Sequence, residues 1–362
     1  FKGVLAMIYL GHGGPKGWTQ ERIVKIEDIL SWKNLDKMPL IITATCSFGG
    51  YDNPAFTSSG ELCLLNEKGG AIALYTTVRP VFASANALLT ERAVDTLFYK
   101  FDYEIPSMGE VLRISKNRET GTNGRKFTLI GDPAQKLALP NYQVATTKIN
   151  GQDVSSGIVD TIKALQKVTI EGQVQDDFGN LLTNFNGIVY PTIYDKKITY
   201  RTLGQDDDSP LFDFDLQKNI IFKGRASVTG GKFKFTFVVP KDIDYNFGKC
   251  KISYYAADES KFEDAAGNYQ EVIVGGTDEN ALADNRGPKV DVFMNDESFV
   301  FGGLTNPDPM LLVKLEDDNG INVVGNSIGH DLDGILNRNT QNTYILNDFY
   351  EAALDDYTKG EV

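Results

Sequence analysis

Two continuous apolar runs, Val4-Leu5-Ala6-Met7-Ile8-Tyr9-Leu10 and Leu40-Ile41-Ile42-Thr43-Ala44, constrain this chain more than anything else in it. Runs this short and this apolar suit strands buried on both faces. Between them, from Gln20 to Leu35, the positions Ile23, Ile26, Ile29 and Leu30 fall near helical spacing with Glu27, Asp28 and Lys33 interspersed, which predicts a crossover helix. A strand, helix, strand unit of this length makes the two strands parallel and brings their carboxyl ends to one edge of a sheet. That edge is where open α/β folds hold their chemistry.

Each run ends on a glycine-flanked motif: Gly11-His12-Gly13-Gly14 after the first, Thr45-Cys46-Ser47-Phe48-Gly49-Gly50 after the second. The chain has 2 histidines and 3 cysteines, so a His and a Cys delivered to one sheet edge form a selective pairing. An imidazole that takes the thiol proton makes the thiol a competent nucleophile. The backbone N–H groups of Gly13 and Cys46 are candidate oxyanion donors, and Gly13 and Gly14 let backbone approach a substrate carbonyl. Taken singly, a Cys after a buried strand is an inert core residue and a His between glycines only fills a turn; the two together at βαβ spacing favour acyl transfer. Cys63, on the apolar stretch Gly60 to Leu65, and Cys250, in the strand-like Lys249 to Tyr254, read as structural.

Gly69 to Tyr75 predicts the next core strand, with Thr76-Thr77-Val78-Arg79-Pro80-Val81 as the loop after it. Helices are expected over Asn86 to Lys100 and Ser107 to Arg118, and a closing strand with a Gly131-Asp132-Pro133 turn over Phe127 to Pro133. In this order the motifs resemble the gingipain-type cysteine peptidases of family C25, whose catalytic domain is caspase-like. The resemblance covers residues 1–140 and implies an α/β caspase-like fold, part of a mostly parallel sheet with flanking helices. It also implies Cys46 and His12 as the catalytic dyad. Gly13, Gly14, Thr77, Val78 and Arg79 would be oxyanion and substrate-binding positions, the last three bordering the pocket for the residue before the scissile bond. No metal is required. A caspase-like sheet has further strands upstream of the His, so the resemblance leads us to expect a fragment that begins after them.

After Pro140 the pattern changes to short alternating strands broken by Gly, Asn and Asp turns, as in Lys167 to Val174, Ile188 to Asp195, Gly224 to Val228, Lys232 to Val239 and Lys251 to Ala256. We expect all-β Ig-like sandwich domains here: one over 145–275, a linker over 276–287, and a second β-rich domain, incomplete, over 288–362. Lys289 to Met294 and Met310 to Leu315 read as strands of the latter, and Glu316 to Gly320 echoes the acidic turn at Asp176 to Gly179.

The formal net charge is −13, and the acidity sits in this second part: through Pro140 there are 16 basic and 14 acidic residues, leaving 20 and 35. Without clustered cations a nucleic-acid partner is not expected. The cysteines give no disulfide framework, no signal peptide is expected in this stretch, and no apolar run reaches the roughly 18 residues of a membrane span. Asp206-Asp207-Asp208, or Asp278 and Glu279 with Asp284, offer oxygen ligands, and family members bind calcium, so calcium is an optional cofactor; without calcium-loop spacing, solvated turns are the ordinary reading. His330 beside Asp331 has no nucleophile near it along the chain and reads as a turn or packing residue.

The tail segments Ser327 to Gly334 and Leu346 to Tyr357 are similar to the branch of the family that serves type IX secretion as signal peptidase. That similarity implies secreted cargo with C-terminal signal domains as substrate, and transfer of the new carboxyl end to water or to an amine of anionic lipopolysaccharide. Its implied partners are an outer-membrane β-barrel shuttle protein and other attachment-complex subunits, on the extracellular face of the outer membrane of a Bacteroidota-type bacterium. A general secreted endopeptidase and a non-catalytic assembly protein are the competing readings.

Overall fold

The computed structural model describes residues 3–19, 21–101, 104–118, 121–157, 161–205, 209–281, 286–324, 331–338 and 340–362. The chain divides into two compact units, Phe1–Leu139 and Pro140–Val362.

In the first unit, strands β1 (Ala6–Leu10), β5 (Leu40–Ala44), β6 (Ala73–Thr77) and β7 (Phe127–Ile130) form one sheet in that order; β2 (Gly13–Gly14), β3 (Gly17–Trp18) and β4 (Val24–Lys25) form a small separate one. β1 and β5 are parallel, β5 and β6 are parallel, and β7 runs antiparallel to β6. All five residues of β5 and of β6 are buried, as a central strand covered on both faces must be. β1 is different: it pairs only with β5, and Ile8 and Leu10 are exposed, so the expectation of burial on both faces fails at this edge. Helices α3 (Ala83–Leu97) and α4 (Met108–Asn117) cover one face, where Ala93, Leu97, Met108 and Val111 pack on Leu40, Ile42, Ala73 and Tyr75. On the other face Ile29 of α1 (Ile26–Ser31) and Cys63 of α2 (Ser59–Leu65) pack with Ile41 and Leu74.

The helix expected from Gln20 to Leu35 is largely absent. Its first part holds a turn and the short strand β4, and only Ile26–Ser31 is α-helical. Thr19 and Arg22 sit at φ +59 and +56, in the left-handed region that no continuous right-handed helix tolerates, and Ile23 and Leu30 are exposed, so the apolar stripe never forms one buried face.

The second unit is β-rich. Strand Tyr142–Ile149 pairs antiparallel with Lys167–Gln175 and, over two residues, parallel with Glu263–Tyr269. The ladder continues from Lys167–Gln175 through Lys232–Val238, Ala226–Thr229, Gly187–Tyr194 and Lys251–Asp258 back to Glu263–Tyr269, so the sheet closes on itself. Alternate residues such as Val168, Ile170 and Val174 point inward to a core with Phe185, Phe237 and Ile252. A further sheet of Lys289–Met294, Leu311–Glu316, Asp356–Glu361 and Glu351–Ala353 packs Leu315, Tyr350 and Ala352 near Ile220 and Phe222. The acidic turns at Asp176 and Asp317 share one construction: the Asp side chain accepts a backbone N–H two residues on, and a glycine at φ +85 or +82 completes the turn.

Candidate active site

The β1–β5 register pairs Leu10 with Ala44, so His12 and Cys46 each lie two residues beyond the last rung of one parallel pair. Local packing joins the two segments that carry them. Gly13 lies flat against the residue before Cys46: a Cβ on Gly13 would fall 2.5 Å from Thr45 Oγ1 and 3.2 Å from Thr45 Cγ2. Among the described residues Thr45 Oγ1, buried beneath this contact, has no hydrogen-bond partner.

The His12 carbonyl accepts the Tyr9 hydroxyl at 2.6 Å and the Thr19 N–H at 2.8 Å. Tyr9 stacks on Trp18 at 4.4 Å, and Trp18 packs on Phe48 at 5.7 Å, so three aromatic rings join the strand before His12, the hairpin after it and the turn after Cys46. The hairpin pairs Gly13 with Trp18. Because His12 and Thr19 bond across it, the alternation of an antiparallel ladder makes Gly13 and Trp18 a non-hydrogen-bonded pair, leaving the Gly13 N–H directed out of the hairpin. Sequence reading passed over Tyr9, Trp18, Thr45 and Phe48. An aromatic within three residues of both His12 and Cys46 was the available signal.

Cys46 is partly exposed at the head of a tight turn whose next residue, Ser47, has φ +51. A non-glycine residue there is strained by about 1–3 kcal/mol. Phe48 is fully buried, the Gly49 N–H donates to Thr77 O at 2.9 Å and the Gly60 N–H to Phe48 O at 2.9 Å, so the turn is held from β6 and from α2. The Cys46 Sγ donates to Val81 O at 3.7 Å, and among the described residues no hydrogen bond joins it to His12. Catalytic hydrogen bonds of unliganded sites are often long and close only with substrate. Cys63 and Cys250 contrast with Cys46: burial pushes each thiol up to about 12, which leaves both unreactive.

Thr77 belongs to β6 rather than to the loop: its hydroxyl donates to Thr45 O, while the Val78 N–H donates to Lys126 O at 3.0 Å. Arg79 is exposed and forks onto Asp52, six residues past Cys46, with Nη1 to Oδ1 at 3.0 Å. The guanidinium holds the Asp52 carboxyl below its ordinary range. A cavity of about 610 Å³ opens at the opposite, amino ends of these strands, lined by Met7, Asn34, Pro39, Ile41 and Gly70, and takes none of the site's residues. Asp206, Asp207, Asp208, Asp284 and His330 lie outside the described residues, and among the described residues no group of three or more acidic, His or Cys side chains is disposed to hold a metal.

The parallel pair β1 and β5 ends with His12 and Cys46 at one sheet edge, and residues 2–138 match the model of Peptidase family C25. Over these residues the first unit is similar to the C25 peptidases. The chain is similar to PorU: a crystal structure of dimeric latent PorU from Porphyromonas gingivalis aligns over 82% of this chain and 28% of that one, at 29% identity and TM-score 0.43. The complex of Porphyromonas gingivalis RgpB pro- and mature domains aligns over 73% and 54%, at 15% identity and TM-score 0.35. The chain spans 28% of the former and 54% of the latter, less than two thirds of either. No curated protein matches the chain.

Proposed function

We propose that Cys46 and His12 are the nucleophile and general base of a cysteine endopeptidase. One observation carries the reading: the in-register placement of the two residues past Leu10 and Ala44, with Gly13 packed on Thr45. His12 takes the Sγ proton as sulfur attacks the scissile carbonyl, and the N–H groups of Gly13 and Cys46 hold the oxyanion. His12 returns the proton to the leaving amine, and a thioester remains on Cys46. Water or a second amine, deprotonated by His12, then attacks the thioester and expels the thiolate. Gly14, Val78 and Arg79 border the acyl side, with the fully buried Thr77 behind them in β6.

The finer reading is removal of C-terminal signal domains from type IX cargo, with transfer of the new carboxyl end to water or a lipopolysaccharide amine. The cell surface is its setting, and a β-barrel shuttle and other attachment subunits are its partners. The family match supports the peptidase chemistry, and the tail motifs support the type IX assignment. An Ig-like domain over 145–275, a linker over 276–287 and a second β domain over 288–362 are part of this proposal, as is optional calcium. Among the described residues no helix is long and apolar enough to cross a membrane.

The test is mass spectrometry of cargo bearing its signal domain, incubated with a primary amine and the full-length protein, with and without Cys46→Ala. Cargo shortened and joined to the amine only when Cys46 is present supports the transpeptidase. Cleavage of generic peptides alone points to a general endopeptidase, and no cleavage of either points to an assembly role.

A further inference from the structure

The hydrogen bond from Cys46 Sγ to Val81 O has a direction that matters, because the proton it occupies is the one His12 would take. Reaction at Cys46 therefore requires this hydrogen bond to break, by rotation of the thiol or by displacement of the Val81 carbonyl. Several contacts hold the segment from Val78 to Phe82: Val81 packs against the cluster of Ala44, Leu89 and Phe127, the Lys126 ammonium lies over the Phe82 ring, and the Val78 N–H donates to Lys126 O at 3.0 Å. The Phe82 N–H donates to Asn123 Oδ1 at 3.0 Å and Lys126 Nζ to Pro80 O at 2.6 Å, both from the side of the α4–β7 connection. On the side of the nucleophile the tie is the Arg79 fork on Asp52, and Arg79 Nη1 also bonds the carbonyl of Val78 at 2.7 Å. Asp52 is in turn fixed to Cys46 through the buried Phe48 and the successive turns Gly50 N–H to Ser47 O and Tyr51 N–H to Gly49 O. The fork thus joins the loop that carries the thiol to the loop that carries its acceptor.

We propose that Asp52 and Arg79 form a latch that sets the reactivity of Cys46: closed, it holds the Val81 carbonyl on the thiol proton, and open, it frees the thiol for His12. Its bearing on catalysis rests on the reading of Cys46 as nucleophile. Both partners are about half exposed, with side-chain accessibilities of 54% and 46%. Such a pair contributes little to global stability, is screened by salt, and suits a contact that opens readily. Bidentate geometry still makes it directional while closed.

The experiment measures the rate of iodoacetamide alkylation of Cys46 against pH by mass spectrometry, in the full-length protein and in Asp52→Asn and Arg79→Gln. Unlabelled Cys63 and Cys250 report an intact fold. The latch predicts that both substitutions speed labelling near neutral pH, by up to about fivefold given what an exposed ion pair contributes. A purely electrostatic role predicts opposite signs, since losing Asp52 favours the thiolate and losing Arg79 disfavours it. Opposite signs, or no change in either variant, overturn the proposal. A second measurement needs no variant: labelling of the unmodified protein accelerates with added salt if the latch exists, and a flat salt response overturns it. Alkylation requires no substrate, so if Cys46→Ala left cleavage intact, the peptidase reading would fail while the latch would still be judged on its own data.

Discussion

Gly13 is the residue at which the candidate site is most sensitive, because its missing side chain lets the His12 segment lie against Thr45. An alanine there meets Thr45 Oγ1 at 2.5 Å and the Gly17 carbonyl at 3.1 Å, and the least costly relief is to displace the Gly13 backbone, carrying its N–H and the adjacent His12 away from Cys46. A misplacement near 1 Å costs on the order of 10²-fold in rate, so Gly13→Ala should lower kcat/KM by about that factor while thermal unfolding moves little. Removing the obstructing atoms should reverse much of the loss, and the Gly13→Ala/Thr45→Ala double variant is expected to recover activity in the same peptide assay. The three thiols form a parallel test. Brief alkylation of native protein at neutral pH should modify Cys46 alone, since burial pushes Cys63 and Cys250 up to about 12, and peptide mapping before and after denaturation reads the difference.

At the level of elements, α2 supports the Cys46 turn from below. Its N-cap Ser58 takes part in a reciprocal capping box with Glu61: the Glu61 carboxylate accepts the Ser58 N–H at 2.7 Å, and the Ser58 hydroxyl accepts the Glu61 N–H at 3.4 Å. Gly60 then packs so closely on Gly49 that a Cβ would lie 2.9 Å from the Gly49 Cα. Ser58→Ala should cost about 1 kcal/mol in denaturant unfolding, together with a measurable loss of activity because the helix start carries the turn. The elements differ in how far the sequence announces them. β5 was legible to the residue, since a strand buried on both faces leaves an unbroken apolar run, and α3 and α4 were legible to within a few positions. The stretch before α1 was not, because Ile23 falls at helical spacing with Ile26, Ile29 and Leu30 while the backbone leading into it is set by long-range contacts, the Tyr9–Trp18 stack and the Thr19 N–H on His12 O. The motifs singled out His12 and Cys46 as candidates, and the register places both just past one parallel pair; the aromatic wedge and the Asp52–Arg79 fork depend on tertiary approach that no local pattern encodes.

For the whole molecule, charge divides unevenly: the first 140 residues are near neutral, and the remainder carries 35 acidic against 20 basic side chains. Most of those carboxylates are solvated, but Asp258 is 1% exposed by surface area and is fully engaged. It accepts the Ser260 hydroxyl at 2.5 Å and the Asn186 N–H at 3.1 Å, with the Lys261 ammonium 3.3 Å away. These bonds, that from Ser260 foremost, hold its carboxyl at about 2 against an ordinary 3.8. The folded state therefore binds the Asp258 proton more weakly than the unfolded chain does, so this contribution to stability is complete above about pH 4 and disappears as pH falls through about 2. Asp258→Asn retains an acceptor but has no proton to gain. It should unfold more readily than the parent at pH 6, and the gap between the two in denaturant midpoint should close as pH is lowered from 4 to 2. A gap independent of pH over that window would mean that Asp258 stabilises the second unit through shape alone, and that its acid sensitivity arises from the many solvated carboxylates instead.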